Sequence, residues 1–234
     1  SFDTPSVELA DAIFAANGAH HLELGQDNNM LNGPFFPDRI KFMSYELQDW
    51  LRNYYNVITG YENVLYGPNL HRVSRGVSIQ GHNVSSNGSA NTIWANAMTN
   101  GDTQVLHLIN LEKDNDDKWR DPTAKPETLL GLPVSYTIGD GVDGGRAREI
   151  PFTVKTNDQG QLTVNFTADV LSVWDFFYTQ KDEASHNDGG NTGGHSDANT
   201  PDNTPSTQLQ QGALVNGNGK CLDLWDGASL NGRK

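Results

Sequence analysis

The chain has 234 residues, with 29 Asp and Glu against 16 Lys and Arg, for a formal net charge of -13. That length suits one or two domains, and an acidic balance without any basic run argues against a nucleic-acid or membrane partner. No apolar run approaches the ~18 residues that span a bilayer, and the first residues show neither the basic nor the apolar region of a signal peptide.

Pro5-Ser6 opens a helical pattern in which Val7, Leu9, Ala10, Ile13 and Phe14 recur at helical spacing, and Asn17-Gly18 supplies a left-handed stop. Ala19–Leu24 reads as a short strand and Gly25–Phe42 as a polar loop. Ser44 then caps a long helix with Glu46 in its first turn. Leu47, Leu51, Tyr54, Ile58, Tyr61 and Leu65 fall three or four apart and form its buried stripe. Helix, strand and helix in that order suit a parallel α/β sheet or barrel.

From Val73 to Gln180 the helical period gives way to short alternating runs: Val77–Gln80, Thr92–Thr99, Thr103–Leu111, Val134–Ile138, Ile150–Lys155, Leu162–Phe166 and Val170–Tyr178. Asn100-Gly101 is a hairpin signal of type I′, and Asn157–Gly160 is a second hairpin turn. Short strands with such turns predict an antiparallel β-sandwich. Asp182–Gly212 has no aromatic residue and no Lys or Arg. It cannot bury enough surface to offset its ordering entropy, so a disordered linker is expected. Ala213–Lys234 is too short for a core of its own and reads as the opening of a further module.

Few local patterns carry chemistry. On a strand, His21 and Glu23 share a face and His20 points away, which gives two ligands where zinc needs three or four. His186 and His195 lie in the linker and add nothing, so no metal site is expected. A His–Glu pair lining a polar pocket is the favoured reading. The acidic run Glu112–Asp121 lacks the central Gly and final Glu of an EF-hand and reads as a solvated loop. Asn83, Asn87 and Asn165 begin N-x-Ser/Thr triplets. Gly139-Asp140-Gly141 sits between strands, so it is no nucleotide loop, and no cofactor is expected. The single cysteine, Cys221, leaves no intrachain disulfide. Trp94 and Trp174 lie in strand patterns and read as core, whereas Trp119 lies in the acidic loop and is either core or sugar platform.

Glu23 falls near the end of the first strand and Asp27 in the loop after it, where an α/β barrel builds its active site. Asn28, Asn29, Met30, Phe35 and Phe36 follow. Carboxylates and amides for hydroxyls, with aromatic faces for a ring, make up a sugar site. From the residues alone, this stretch is either that or an ordinary surface loop.

Several segments together resemble glycoside hydrolase family 66, the dextranases and cycloisomaltooligosaccharide glucanotransferases. These are Ser6–Asp11, Ile13–Ala19, His21–Gly25, Asp27–Leu31, Phe36-Pro37 and Tyr54–Leu65. A second likeness, of Gly219–Asp223 followed by Asn231-Gly232, is to the first repeat of a ricin-B-type β-trefoil, a family 13 carbohydrate-binding module. The two resemblances imply a multi-domain fragment. Residues 1–71 would be the C-terminal part of a catalytic (β/α)8 barrel, 72–180 an antiparallel β-sandwich, 181–212 a disordered linker and 213–234 a truncated trefoil start. The family's retaining mechanism uses an Asp nucleophile and a Glu acid/base on earlier barrel strands, which are expected upstream of Ser1. The resemblance therefore places no catalytic residue in this chain and implies that the piece is inactive.

Glu23, Asp27, Asn28 and Met30 would stand at the rim of the glucan cleft, Asp223 would bind a sugar hydroxyl, and Cys221 would pair with a trefoil cysteine that is missing here. The expected partner is an α-1,6-glucan (dextran) or isomaltooligosaccharide, and the protein is expected to be secreted and monomeric. A glucanotransferase is one alternative. A non-catalytic carbohydrate-binding protein, with the first helices merely capping the sandwich, is the alternative from another class. On the enzyme reading, residues 72–180 fold alone and residues 1–66 stay incompletely packed.

Overall fold

Asp3 accepts a hydrogen bond from the Ser6 amide at 3.0 Å and, with Pro5 in the first turn, starts helix α1 (Thr4–Ala16). The computed structural model describes residues 1–22, 25–26, 28–33, 36–37, 40–114, 122–138, 150–180 and 213–216. Gly18 has φ +73°, as its stop role requires, and a β-carbon there would meet Leu70 Cδ2 at 2.3 Å.

The expected strand over Ala19–Leu24 does not form in its described part: residues 19–22 are irregular. Two contacts hold them in that course. The His20 ring packs on Tyr66 with centroids 3.8 Å apart, and His21 is tied to Asp11 of α1. Where a loop was expected, three short antiparallel strands follow, β1 (Gly25–Gln26), β2 (Asn29–Gly33) and β3 (Phe36–Pro37). Ser44 caps α2 (Tyr45–Gly60) through its hydroxyl, 3.0 Å from the Leu47 amide. The stripe predicted for one long helix is split at Tyr61, after which α3 (Glu62–Leu65) completes it.

The remaining strands are β4 (Leu70–Arg72), β5 (Val77–Ile79), β6 (Val84–Ser85), β7 (Ile93–Asn100), β8 (Thr103–Asn110), β9 (Leu129–Thr137), β10 (Phe152–Thr156), β11 (Leu162–Leu171), β12 (Trp174–Gln180) and β13 (Ala213–Asn216). One sheet runs β13-β12-β8-β7-β4, with β6 also paired to β7, and the other runs β10-β11-β9-β5. The pairing is antiparallel apart from β6 with β7.

Both hairpin turns form. Asn100 pairs with Thr103 across Gly101, at φ +61°. Asn157 Oδ1 accepts from the Gln159 and Gln161 amides at 3.0 and 2.9 Å. The run expected to break after Phe166 instead continues to Leu171 and breaks at Ser172-Val173, where the chain crosses from one sheet to the other. Asn110 holds that corner: its side-chain amide donates to Ser172 O at 3.0 Å and its backbone amide to Val173 O at 2.9 Å.

The larger sheet is buried on both faces. Ile93, Ala95, Ala97, Leu106, Leu108 and Phe177 point to the second sheet and meet Val134, Tyr136, Val164 and Phe166. Trp94, Met98, Val105, Ile109, Trp174 and Phe176 point the other way and meet Leu9, Ala12, Ala16, Tyr54, Val57 and Leu65 of the helices. The helices within residues 1–66 thus pack on the sandwich, while Leu22, Ile40, Phe42 and Tyr45 remain exposed. The sandwich sheet turns a second apolar face outward, and the helices close it.

Ala213–Asn216, assigned from sequence to the further module, pairs with β12 from Ala213 opposite Gln180 to Asn216 opposite Phe177. The linker expected over 181–212 and the remainder of 217–234 lie outside the described residues.

A polar contact joins the layers. Asn96, fully buried on β7, donates its side-chain amide to the Ala16 carbonyl at the end of α1, at 2.6 Å. It satisfies a helix-end acceptor that would otherwise be buried unpaired. Asn96→Ala is expected to lower stability by ~1–3 kcal/mol, read as a lower urea midpoint at unchanged m-value.

Candidate functional site

The segment that follows α1 contains the candidate rim residues, and it is anchored by groups whose importance the residue pattern alone did not reveal. Glu8 and Asp11 stand three residues apart on α1 and are both buried, at 4% and 0% exposure. Asp11 accepts from two sides: its Oδ1 lies 2.6 Å from His21 Nδ1, and its Oδ2 takes the Trp50 indole N–H of α2 at 3.0 Å. The His21 amide lies 3.4 Å from the Tyr54 hydroxyl, and its ring packs on Phe14 at 5.0 Å. One buried carboxylate thus joins α1, α2 and the turn into the next segment.

The electrostatics follow from burial. Desolvation raises the Asp11 pKa, with the hydrogen bond from His21 working against it. Burial carries Glu8 to about 7, opposed by Lys125 and assisted by Glu46 and Asp11. Lys125 bonds Glu46 of α2, which raises its own pKa. On the sandwich side His107 is buried between strands. The Trp174 indole donates to its Nδ1 at 3.2 Å, and burial lowers its pKa to about 3.

Of the predicted rim residues, Asn28 is exposed in the turn between β1 and β2 with φ +64°, a conformation that Asn tolerates. Its carbonyl accepts the Met43 amide at 2.9 Å, which ties the hairpin to the residue before the α2 cap. Met30 lies in β2 opposite Gly25. Glu23, Asp27, Trp119, Cys221 and Asp223 lie outside the described residues. Ser1, upstream of which the catalytic pair is expected, is exposed and leads directly into the α1 cap at Asp3. Trp94 and Trp174 are buried, as their strand patterns predicted, so neither serves as a sugar platform.

The residues missed were Glu8, Asp11 and Trp50. A usable signal was present: two acids, one turn apart, inside a run of small apolar helix residues. Large apolar side chains flank the same region in the open, with Leu22 61%, Ile40 86% and Tyr45 86% exposed.

A helical layer thus covers a β-sandwich, with Asp11 holding His21 and Trp50 together at its edge. The profile of glycosyl hydrolase family 66 matches residues 1–178, and the chain belongs to that family. It is 36% identical over 196 residues to a cycloisomaltooligosaccharide glucanotransferase of Niallia circulans, covering 77% of this chain and 20% of that protein. It is 22% identical over 209 residues to a dextranase of Streptococcus salivarius, covering 74% and 25%. A solved Paenibacillus sp. cycloisomaltooligosaccharide glucanotransferase, complexed with cycloisomaltoheptaose, matches with a TM-score of 0.69 at 31% identity over 76% of this chain and 27% of that one. The chain thus spans 20% to 25% of the length of these curated relatives.

Glu8 and His107 give opposite pH slopes. Glu8, raised from 4.5 to about 7, binds a proton in the folded state that the unfolded chain has lost, so its contribution falls as pH rises across that window. His107, lowered from 6.5 to about 3, stays neutral when the unfolded chain is protonated, so stability rises with pH between those values. In urea unfolding followed against pH, Glu8→Gln is expected to gain stability relative to wild type above pH 7. His107→Gln, which keeps an acceptor for Trp174, is expected to flatten the acid limb.

Proposed function

We propose that the chain is part of a secreted, retaining enzyme acting on α-1,6-glucan, dextranase-like, with a cycloisomaltooligosaccharide glucanotransferase as the alternative. The observation that carries this reading is 36% identity over 196 residues to a glucanotransferase. In a retaining enzyme one carboxylate attacks the anomeric carbon while a carboxylic acid ~5 Å away protonates the leaving oxygen. Water then releases a sugar, whereas a sugar hydroxyl re-forms a glycosidic bond.

Glu8 and Asp11 do not suit those roles. They are buried, and Asp11 is committed to Trp50 and His21. The catalytic pair is therefore assigned to earlier strands of a (β/α)8 barrel, upstream of the position of Ser1, in the length of the relatives that this chain does not cover. The chain by itself is inactive. Residues 1–71 would complete that barrel, and the exposed Leu22, Ile40 and Tyr45 would pack against it. Glu23, Asp27, Asn28 and Met30 would line the glucan rim, and Asp223 would belong to a trefoil lectin module. A non-catalytic carbohydrate-binding protein is the second reading. It is favoured by the way the helices close the sandwich in a continuous core.

A hybrid tests this: the matching region of the Niallia circulans glucanotransferase is replaced by this chain. The hybrid is expected to cleave dextran, while the chain alone releases no reducing ends. Asn28→Ala in the hybrid is expected to raise KM several-fold with little change in kcat, as loss of ground-state binding does. Cyclic rather than linear products would select the glucanotransferase. Dextran cleavage by the chain alone, or a folded hybrid that leaves dextran untouched, would overturn the enzyme reading.

A further inference from the structure

The outer face of the four-stranded sheet carries a groove of about 540 Å³, on strands that take no part in the α1–α2 region. Register aligns four polar side chains across it: Ser78 opposite Ser135, Ser135 opposite Asn165, and Asn165 opposite Thr153. With strands ~4.8 Å apart, the row runs about 14 Å. Pro133 opposite Thr167 starts the next row. The alternate residues Ile79, Val134, Val164 and Phe166 face the core, so the polar set faces outward.

The row is partly ordered before any ligand arrives. The Ser135 hydroxyl donates to Asn165 Oδ1 at 2.8 Å, and the Asn165 amide group donates to Thr163 O at 3.3 Å. Pro133 and Pro151 add apolar surface beside these groups, while Phe152, opposite Phe166, packs against the core.

The chemistry of the lining selects the occupant. The chain carries a net charge of -13, yet among the described residues no lining side chain is charged. An anion would find no cation there, and a metal or basic peptide would find no carboxylate. A β-strand would add at the sheet edges, β10 and β5, rather than on this face. Hydroxyls and a fixed amide beside the proline surface of Pro133 and Pro151 match a ligand that is neutral, rich in hydroxyls and apolar on its ring faces.

We infer that this groove binds a short neutral oligosaccharide. The glucan reading of the preceding subsection enters only through the choice of probe. In a larger enzyme, such a site would hold a polymer on the side of the sandwich away from the helices and raise its local concentration.

The test is a titration of the full 234-residue chain with isomaltotriose and, separately, maltotriose, followed by amide chemical shifts. Binding with a Kd of ~1 mM is expected, with the shifts concentrated on Ser78, Thr153, Asn165 and Thr167. Thr153→Glu combined with Thr167→Glu places charge in the groove at two exposed positions and is expected to weaken binding about tenfold or more. Ser78→Ala removes one hydroxyl without changing the fold and is expected to weaken it several-fold, so the inference stays testable if the double variant misfolds. Asn28→Ala is expected to leave groove binding unchanged.

Absence of groove shifts with either sugar at ~10 mM would overturn the inference without touching the hybrid-enzyme result. Binding that survives the groove variants but is lost in Asn28→Ala would also overturn it, and would place the sugar at the hairpin. Tighter binding of isomaltotriose than maltotriose supports the inference and assigns the groove to α-1,6-linked chains. Equal binding supports it as a general neutral-glycan site.

Discussion

The six-stranded sheet has no face it can leave in water. In β7 the alternation Ile93, Trp94, Ala95, Asn96, Ala97, Met98 places large or apolar groups on both sides, and β8 and β12 do the same. A sheet of this kind must be covered twice. The second sheet supplies one cover and α1, α2 and α3 the other, so the helices are part of the sandwich's core. Tyr61, at the junction of α2 and α3, meets the Phe176 ring edge-on at 5.3 Å, and Asn100 donates to Asn63 O and Tyr66 O at 2.8 and 2.9 Å. The hairpin tip is thereby tied to the last helical turn.

Of the two buried acids inside the helix layer, one has a positioning task and the other does not. Asp11 would be costly in an apolar helix interface, but it accepts two hydrogen bonds and so fixes His21 and Trp50 together. Glu8 lacks an equivalent arrangement, and its pKa near 7 is the consequence. Buried acids are often read as catalytic. Here two contacts at hydrogen-bond distance and near-complete burial favour a structural task for Asp11.

Much of the fold was legible because its signals are local. Ser44 caps where its side chain allows, Gly18 stops where only a left-handed residue fits, and Gly101 turns the β7–β8 hairpin, whereas the Asp3 cap became visible only in the structure. The strand over Ala19–Leu24 was misjudged because alternation specifies a strand only when a partner lies beside it, and the contacts of His20 and His21 come from residues 10 to 46 positions away. β11 was cut short for a related reason. Asp169 and Val170 break the alternation, both being exposed, whereas pairing with Leu129 and Leu130 carries the strand on to Leu171. The candidate rim was legible as a composition of amides, acids and aromatics. Its anchor was not, because helical periodicity gives no hint that Asp11 meets Trp50.

A β-domain attached to a sugar-active region is sometimes a passive appendage, but the contacts here argue for a mechanical role. Trp174 of β12 lies 6.5 Å from Tyr54 of α2, ring to ring, and the Tyr54 hydroxyl reaches the His21 amide. His21 is in turn clamped to Asp11 immediately before the segment that contains Glu23 and the β1–β2 hairpin. The path from sandwich core to His21 is therefore continuous packing and hydrogen bonding. Side chains on such a support hold their positions better than side chains on a free loop. A sheet that needs a helical cover and a hairpin that needs a fixed base are satisfied by the same two helices, which explains why the family profile runs unbroken from the first helix to the end of β12.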